Sequence, residues 1–438
     1  MHGDHGASFV WKLFCSFDLV NSINSAACRV IPRCRISGDS NLISVLNLGN
    51  QALTGVFPKT TQTAVTCAPL ELVWCPTSGL LQLHHSFNPS EMYGEGYGYR
   101  SGLNASMVEH LNAKARRLER MVDLQGGDVV VDIGSSDATL LKAYQISGLQ
   151  RIGIDPSAEK YRDFYTSGIR LVSDFFSKEA LQKELGNKRP RLITSIAMFY
   201  DLEDPNQFAQ EVADLLPEGG VWHFEQSYMP TMLRQNSYDT ICHEHLEYYS
   251  LQPVLKILQK AELTPIEVLM NSTNGGSFAV TAVKGKTNLS RDQRMIDWLL
   301  AEEDRLGLCS PAPFRAFEDR VFHHRESLRR LISSLRADGK KIFGYGASTK
   351  GNVILQFCGL GPRDIEAIVD VNPLKYGCFT PGSHIPIISE DEGVRRNPDY
   401  YLVLPWHFRD FILRKEAGYL ARGGRMIFPM PEIEIVTA

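Results

Sequence analysis

The stretch from Asp128 to Leu141 predicts a buried strand, a glycine turn and the start of a helix. Its first part, D-V-V-V-D, is an apolar run of the kind that parallel sheets bury on both faces. Gly134 follows this run and lets the backbone approach a ligand closely. The helix after the turn would point its free backbone N–H groups at the same opening. We therefore expect an α/β sheet that binds a ligand at this corner.

Asp155 limits the kind of ligand that this corner can take. It ends the next apolar run, R-I-G-I-D, at about the spacing where an acid binds a ribose diol. The first turn has one glycine instead of the G-x-G-x-x-G of a pyrophosphate cradle. The pattern resembles the S-adenosylmethionine site of class I methyltransferases, and the alternative is an ordinary tight turn. The residues expected to hold this cofactor, the last two of them on its adenine, are Asp132, Gly134, Ser136, Asp137, Asp155, Asp174 and Phe175.

The composition favours a small-molecule substrate. With 46 basic and 50 acidic residues the net charge is −4, and no basic block marks a nucleic-acid footprint. Nine scattered cysteines and no signal-peptide pattern near the start favour a reducing cytoplasm. No apolar run approaches the ~20 residues that cross a membrane. We therefore expect a cytoplasmic protein that contacts neither nucleic acid nor a membrane.

The length of 438 residues predicts about three domains at ~150 residues each. Two helices are expected between the last two of them. The first would start at Ser290, with Gln293 as its capping-box partner. The second would run from Phe314 to Ala337, with an apolar stripe that packs against the rest of the protein and consists of Phe317, Val321, Leu328, Leu331, Ile332 and Leu335. The expected parts are an extension (1–27), a loop-rich N-terminal domain (28–90), a first α/β domain (91–285), a helical connector (286–338) and a second α/β domain (339–438).

A second strand, glycine turn and helix occur in the stretch K-I-F-G-Y-G-A-S-T-K-G, from Lys341 to Gly351. Gly344, Gly346 and Gly351 would free backbone amides, and Lys350 adds a positive charge. The stretch predicts a cradle for a second, phosphate-bearing ligand. The alternative is a degenerate α/β repeat in which Lys350 is merely solvated.

Between the two α/β domains, the stretch Y-D-T-I-C-H-E-H-L-E-Y-Y-S places two histidines around a glutamate. If this stretch were extended, His243 and His245 would share one face and Glu244 would occupy the other. His-x-His can bind zinc on a strand, but the spacing shows no third ligand. Acid/base chemistry is favoured, because histidine titrates near neutral pH and a neighbouring carboxylate can fix its tautomer. The alternative is a structural histidine cluster at a domain junction.

Several segments together resemble the sugar C-methyltransferases, which methylate a carbon of nucleotide-linked 4-keto-6-deoxy sugars. The likeness runs from about Cys34 to the C-terminus. The resemblance implies a small zinc-binding N-terminal domain, a central S-adenosylmethionine domain and a C-terminal Rossmann-like domain that helps hold the nucleotide sugar. The matching segments are N-L-G-N-Q-A-L (47–53), G-L-L-Q-L (79–83), Y-G-Y-R-S-G (97–102), H-E-H (243–245), N-G-G-S (274–277), G-Y-G-A-S-T-K-G (344–351), V-N-P-L-K (371–375) and P-G-S-H-I-P-I (381–387).

The resemblance also implies roles for single residues. His245 would be the general base at the carbon beside the ketone, with Glu244 and His243 in the same site. Glu225 and Tyr228 match the family's E-x-x-Y, so Glu225 would approach the methyl donor and Tyr228 the sugar. The other residues expected on the sugar and nucleotide side are Tyr97, Tyr99, Ser101, Asn274, Ser277, Lys350, Asn372 and Lys375.

The chain departs from the family's pattern at the zinc ligands. Two C-x-x-C pairs appear here as Cys34 with Ser37 and Cys75 with Ser78. Serine is a poor zinc ligand, so zinc is not expected and the domain would fold without it. The two thiols considered as substitutes, which lack the tight knuckle spacing, are Cys28 and Cys67.

Two more departures concern the catalytic segment. The tyrosine usual before H-E-H is Cys242, and a histidine that the family places after its fourth strand appears as Phe199. Any hydroxyl contribution to stabilising an enolate must then come from elsewhere, or the substrate differs.

We expect an S-adenosylmethionine-dependent C-methyltransferase that acts on a nucleotide-linked keto sugar. Methylation of carbon needs a carbanion, and a carbon beside a ketone is acidic enough for a positioned histidine to form an enolate. The open alternatives are a methyltransferase for a different small-molecule acceptor and a non-catalytic protein that binds a nucleotide sugar. A nucleotide-dependent oxidoreductase ranks last, because the first turn lacks the pyrophosphate-binding glycines.

Overall fold

The computed structural model describes residues 28–92 and 100–438. The N-terminal elements are β1 (Cys28–Val30), β2 (Ile43–Ala52), β3 (Cys67–Trp74), β4 (Leu81–Leu83), β5 (His85–Phe87) and α1 (Pro89–Met92). Strand β3 pairs antiparallel with β2 on one side and β4 on the other, while β1 pairs with β5 in a separate ribbon. The inner face of this sheet is apolar, so it must pack against another part of the chain.

The central region is built on a seven-stranded sheet with helices on both faces. The strands of this sheet are β6 (Val129–Ile133), β7 (Gln150–Ile154), β8 (Ile169–Val172), β9 (Leu192–Ile196), β10 (Val221–Ser227), β12 (Leu263–Asn271) and β13 (Ser277–Lys284), and the region also contains the short strand β11 (Glu247–Tyr248) outside the sheet. Its helices are α2 (Ala105–Val122), α3 (Thr139–Ala143), α4 (Lys178–Leu185), α5 (Pro205–Leu215), α6 (Met229–Arg234) and α7 (Leu251–Lys260).

The central sheet has the strand order β12-β13-β10-β9-β6-β7-β8. The five strands from β10 to β8 are parallel, and β13 lies antiparallel between β10 and β12. Strand β6 is buried along its whole length, as expected for an apolar run covered on both faces. Strand β11 instead pairs with β4, so the segment just after H-E-H belongs to the N-terminal sheet.

Two helices connect the α/β regions, namely α8 (Gln293–Arg305) and α9 (Ala312–Ala337). Helix α8 begins at Gln293, and the side chain of Asp292 accepts a hydrogen bond from the amide of Met295. The predicted start at Ser290 is therefore wrong, because Asp292 caps the helix two residues later. The apolar stripe predicted on α9 is confirmed, since its residues face the core.

The C-terminal region forms a six-stranded sheet in the order β16-β15-β14-β17-β18-β19, parallel except for β19. Its strands are β14 (Ile342–Tyr345), β15 (Ile368–Asp370), β16 (Ile387–Ser389), β17 (Tyr400–Val403), β18 (Arg425–Phe428) and β19 (Glu434–Val436). Its helices are α10 (Thr349–Cys358), α11 (Glu390–Arg396), α12 (Arg409–Lys415) and α13 (Ala417–Ala421).

The predicted α/β class, with two mostly parallel sheets and an N-terminal region of short strands, is confirmed. One apolar cluster runs from Leu72 on β3 through Phe314 on α9 to Phe343 on β14. The N-terminal and C-terminal regions therefore share a core, and their loops meet near the H-E-H segment. Across the described ranges, none of the helices has the length and apolarity needed to cross a bilayer.

Candidate functional site

The corner after β6 is a tight turn whose backbone is fixed by the next strand. Gly134 has a φ of +75°, which favours glycine, and its amide donates to the carbonyl of Ile154 at 2.9 Å. Asp155 follows directly and accepts from the amide of Ser136 at 2.8 Å and from that of Ser157 at 2.7 Å. The turn and the ribose-binding acid predicted from the sequence therefore lie side by side.

Two more buried acids surround this turn. Asp132 accepts a hydrogen bond from the Thr194 hydroxyl at 2.6 Å, and its burial, followed by the nearby charge of Asp155, raises its pKa to about 7. Asp137 is also buried and lies 3.6 Å from Nε of Arg100. A ligand that carries positive charge would favour the ionised forms of these carboxyl groups.

The segment just before α2 covers this corner. The amide of Gly102 donates to Asp137 Oδ2 at 3.1 Å, and the amide of Ser101 lies 3.5 Å from the hydroxyl of Ser136. Ser101 therefore lies beside the first glycine turn, and its contact with the sugar stays a prediction. The predicted partners Tyr97 and Tyr99 lie outside the described residues.

Asp174 and Phe175 follow β8, at the edge of the same opening. Both are exposed, with the Phe175 side chain about half accessible. Asp174 accepts a hydrogen bond from the amide of Phe175. Their predicted contact with adenine stays a prediction.

Glu225 and Tyr228 have partners within the protein. Although burial alone would raise the pKa of Glu225, a hydrogen bond from His110 at 2.6 Å and the ammonium of Lys114 at 2.9 Å lower it to about 2. The Tyr228 hydroxyl donates to Glu303 on α8 at 2.8 Å. Both side chains anchor neighbouring helices to β10, and their roles at the donor and the sugar stay predictions.

The H-E-H segment forms a turn at His243 and Glu244 rather than an extended strand. His243 is completely buried against the N-terminal sheet, with Nε2 3.2 Å from the carbonyl of Ala68 and its ring edge-on to Phe87. Burial lowers the pKa of His243 to about 4. The two histidines therefore occupy different surroundings, because a turn does not alternate its side chains as a strand does.

His245 has the geometry of a base with a fixed tautomer. Its Nδ1 lies 2.9 Å from the carbonyl of Thr240, which can only accept, so Nδ1 carries the proton and Nε2 keeps its lone pair. The ring packs on Tyr200 at 4.2 Å between centroids. Burial and then the charge of Lys350 lower the pKa of His245 to about 4, so the side chain is neutral at pH 7.

Lys350 brings the C-terminal region to this histidine. Its ammonium donates to the carbonyl of Asn274 at 3.0 Å, and burial lowers its pKa while the carboxylate of Asp239 opposes that shift. Asp239 is fully buried and accepts from the indole N–H of Trp406 at 2.8 Å. Neither Asp239 nor Trp406 was predicted from the sequence, where the only available signal was the position of Asp239 within the histidine-bearing stretch.

Glu244 connects the same site to the N-terminal region. The Thr54 hydroxyl lies 3.4 Å from Glu244 Oε2, and burial raises the pKa of this carboxyl group. A Cβ added at Gly55 would lie 2.8 Å from Glu244 Oε1, so a larger residue there would require the carboxylate to shift. The carbonyl of Thr54 in turn accepts from Asn352 on α10 at 2.7 Å. All three regions of the chain therefore meet around the H-E-H turn.

The residue after β9 that faces His245 is Tyr200, not Phe199. Phe199 is fully buried and packs against Trp222 and Tyr249 in the central core. The carbonyl of Tyr200 accepts from the amide of Leu246, which holds the two segments together. Cys242, at the position of the family's tyrosine, is buried, and burial raises the pKa of its thiol.

The expected nucleotide-side residues gather at the C-terminal glycine turn and the β12–β13 loop. Lys375 donates to the carbonyl of Ala347 at 2.7 Å and lies 3.9 Å from Asp370. Asn372 caps the short helix that carries Lys375, accepting from the amide of Leu374. The Ser277 hydroxyl donates to the carbonyl of Thr273, and Asn274 adopts a left-handed backbone with φ +54°. These contacts place the residues near Lys350, and their roles in binding the nucleotide stay predictions.

The degenerate zinc ligands do come together in space. Cys34 Sγ lies 3.1 Å from the Ser78 hydroxyl, and Cys75 Sγ lies 3.5 Å from the Ser37 hydroxyl. Two thiols and two hydroxyls do not fit a structural zinc ion, which needs four strong donors. Among the described residues, the remaining thiols do not complete a group of three ligands with Cys34 or Cys75. The substitutes considered from the sequence, Cys28 and Cys67, lie on β1 and β3.

Comparison with known proteins identifies the family. Three family models match in order: "Putative zinc binding domain" over residues 34–93, "Methyltransferase domain" over 107–268 and "C-methyltransferase C-terminal domain" over 272–431. The chain is 30% identical over 414 residues to C-methyltransferase NovU of Streptomyces niveus, covering 94% of this chain and 98% of that protein. The chain belongs to this C-methyltransferase family. It is an S-adenosylmethionine-dependent enzyme that methylates carbon in a small molecule.

The solved structures that resemble this chain match only part of it. N-methyltransferase NodS from Bradyrhizobium japonicum is 15% identical with a TM-score of 0.30, covering 42% of this chain and 99% of that chain. The [4+2]-cyclase SpnF is 13% identical with a TM-score of 0.31, covering 40% of this chain and 80% of that chain.

Proposed function

We propose that this C-methyltransferase acts on the carbon beside the ketone of a nucleotide-linked 4-keto-6-deoxy sugar, with His245 as the general base. The observation that carries the proposal is the hydrogen bond from His245 Nδ1 to the Thr240 carbonyl. It leaves Nε2 free to accept a proton at the point where the three regions of the chain meet. The buried surroundings keep this histidine neutral and ready to act as a base.

The residues around the first glycine turn suit S-adenosylmethionine. Asp155 would bind the ribose diol, and the buried carboxyl groups of Asp132 and Asp137 would balance the positive charge of the ligand. When bound, the cofactor supplies an electrophilic methyl group to the substrate carbon. The segment at Arg100 and Gly102 lies over Asp137 and would limit the access of water.

The protein's own residues would form and stabilise the enolate. His245 Nε2 would take the proton from the carbon beside the ketone, and the electron pair would move to the ketone oxygen. Lys350, whose charge acts on His245, would stabilise that negative oxygen in place of the tyrosine replaced by Cys242. After methylation, His245 would release its proton to solvent.

The experiment separates donor binding from base chemistry. Calorimetry with S-adenosylmethionine measures the first, and deuterium exchange from solvent into a panel of nucleotide-linked 4-keto sugars measures the second. His245→Ala should leave donor binding unchanged and slow exchange by about 10²–10⁴-fold. His323→Ala, which changes an exposed histidine on α9, is the matched control and should retain both.

A methyltransferase for a different small-molecule acceptor is the second candidate, and the buried Cys242 favours it, because an apolar thiol replaces a hydroxyl donor beside the base. Donor binding without exchange into any sugar of the panel would select this candidate. If the wild-type protein did not bind S-adenosylmethionine, both candidate functions would be contradicted. If deuterium exchange persisted in His245→Ala, His245 would not be the general base.

A further inference from the structure

The N-terminal sheet carries a second cluster of metal-ligand side chains in addition to the degenerate cysteine pairs. One ligand atom each of Glu71, His84 and His85 lies within 4.8 Å of the other two. It is the only such group of three or more among residues 28–92 and 100–438. All three side chains are half-buried, so an ion could enter from solvent and still be partly shielded from it.

Local backbone geometry brings the two adjacent histidines together. Residue 84 is a bend between β4 and β5, so His84 and His85 do not point to opposite faces as successive strand residues do. Their ring centroids are 5.3 Å apart. The amide of His84 donates to the carbonyl of Glu71 at 2.9 Å, which fixes the bend beside β3.

The carboxylate is already oriented toward this cluster. Glu71 Oε1 accepts a hydrogen bond from the Ser44 hydroxyl at 2.6 Å, and Oε2 lies 3.0 Å from His84 Nδ1. A hydroxyl that holds the ligating carboxylate in place is a common outer partner in metal sites. Within the described part of the chain, His85 Nδ1 is buried without a hydrogen-bond partner. A ligand that is an electron-pair acceptor would satisfy it.

We propose that Glu71, His84 and His85 form a binding site for a divalent transition-metal ion, with Zn²⁺ as the ion. Two imidazoles and one carboxylate are the protein ligand set of an open zinc site, in which water takes the fourth position. This ligand set favours Zn²⁺ over Mg²⁺ and Ca²⁺, because nitrogen ligands suit zinc and the two hard cations need more oxygen donors. The metal of the N-terminal region would then bind at the outer face of β3, not between Cys34 and Cys75.

The first test measures Zn²⁺ binding by the full-length protein after removal of metal with a chelator. Calorimetry with zinc chloride should give one site per chain. His85→Ala and Glu71→Gln should each weaken binding by more than about tenfold, the smallest loss typical for even an outer partner of a metal site. The matched control His323→Ala should bind zinc as the wild-type protein does.

The second test distinguishes this cluster from the cysteine pair by the type of ligand, first in the wild-type protein and then in a variant. The wild-type protein loaded with Co²⁺ should show visible d–d absorption and lack a thiolate-to-cobalt charge-transfer band. The double variant Cys34→Ser, Cys75→Ser should bind zinc unchanged. A thiolate band, loss of zinc in that double variant, or no binding by the wild-type protein would each overturn the proposal.

Discussion

The glycine turns after β6 and after β14 have the same backbone plan. The amide of Gly134 donates to Ile154, and the amide of Gly346 donates to Val369 at 2.8 Å. In each case the residue after the accepting carbonyl is an acid. Asp155 accepts a hydrogen bond from the amide of Ser136, and Asp370 accepts one from the amide of Ala347 at 2.7 Å. The plan is that of a nucleotide-binding corner in an α/β sheet. It occurs once in each half of the chain.

The two corners differ in the charge placed around that plan. The first adds the buried acids Asp132 and Asp137, whereas the second adds Lys350 and Lys375 and has Gly344 at the position that matches Asp132. The first corner therefore favours a cationic ligand and the second an anionic one. A sulfonium donor and a diphosphate-linked acceptor differ in this way, which supports the assignment of one ligand to each corner.

The first prediction concerns Asp132→Asn, which removes one of the three carboxyl groups of the first corner. Burial raises the pKa of Asp132 from 3.8 to about 7, so the folded state holds a proton that the unfolded state has lost. The contribution of this bound proton to the free energy of unfolding is fully present below about pH 4 and declines as the pH rises to 7 and above. Asparagine keeps an oxygen that can accept the hydrogen bond from Thr194, and because it does not ionise, it avoids this loss of stability at high pH. At pH 8 the variant should be more stable than the wild-type protein, by at most about 4 kcal/mol.

Urea unfolding at pH 5 and pH 8 measures this effect. The gain should be smaller at pH 5, and the exposed control Asp163→Asn should change the free energy of unfolding little at either pH. An equal change for Asp132→Asn at both pH values would show that its carboxyl group does not titrate as its burial implies.

The second prediction compares the glycines themselves. Gly134 and Gly346 have φ of +75° and +81°, so alanine at either should cost about 1–2 kcal/mol for the left-handed backbone. A Cβ at Gly134 would lie 3.1 Å from the flexible side chain of Met198, but at Gly346 it would lie 2.8 Å from the ring of Pro405. Gly346→Ala should therefore lower the free energy of unfolding by about 1–3 kcal/mol more than Gly134→Ala, because the added methyl group overpacks the site. Thermal and urea unfolding measure both, and equal losses would contradict the tighter packing of the second corner.

Local patterns in the sequence were sufficient to predict the strand and glycine turn of both corners and the acid of the first corner. Each is a buried run, a glycine and an acid within about thirty residues, and the physics that selects them is local. The same holds for the apolar stripe of α9. The start of α8 was misplaced because Ser290 and Asp292 are both good N-caps, and sequence alone does not decide between them.

The centre between the corners could not be predicted in the same way. Tyr200 packs on His245, and Trp406 of the C-terminal region donates to Asp239, and both contacts join residues far apart in sequence. The side-chain alternation assumed for H-E-H failed because the segment turns at His243. The cluster at His84 was missed for a related reason, since a bend between two short strands puts neighbouring side chains on one side.

The third prediction removes the acid of each corner in turn. Asp155→Ala should weaken S-adenosylmethionine binding by about 10–100-fold, because a hydrogen bond to a charged group contributes about 1.5–3 kcal/mol. Asp370→Ala should leave that binding unchanged and weaken binding of nucleoside diphosphates. Calorimetry with both ligands on both variants gives a two-by-two comparison. If Asp370→Ala reduced donor binding as much as Asp155→Ala, the assignment of one ligand to each corner would fail.

The smallest effect should come from Lys375→Met, which removes a charge from the second corner. Methionine keeps an apolar chain against the ring of Phe57, where the Lys375 ammonium lies 4.6 Å from the centroid. Lys375 also pairs with Asp370, so part of its charge is already balanced within the protein. Binding of a nucleoside diphosphate should therefore weaken only about threefold to tenfold and depend less on salt, since a partly shielded pair contributes roughly 1 kcal/mol. Calorimetry at low and high salt measures this, with S-adenosylmethionine binding as the internal control. An unchanged salt dependence would mean that Lys375 stabilises the turn through Ala347 and does not attract the ligand.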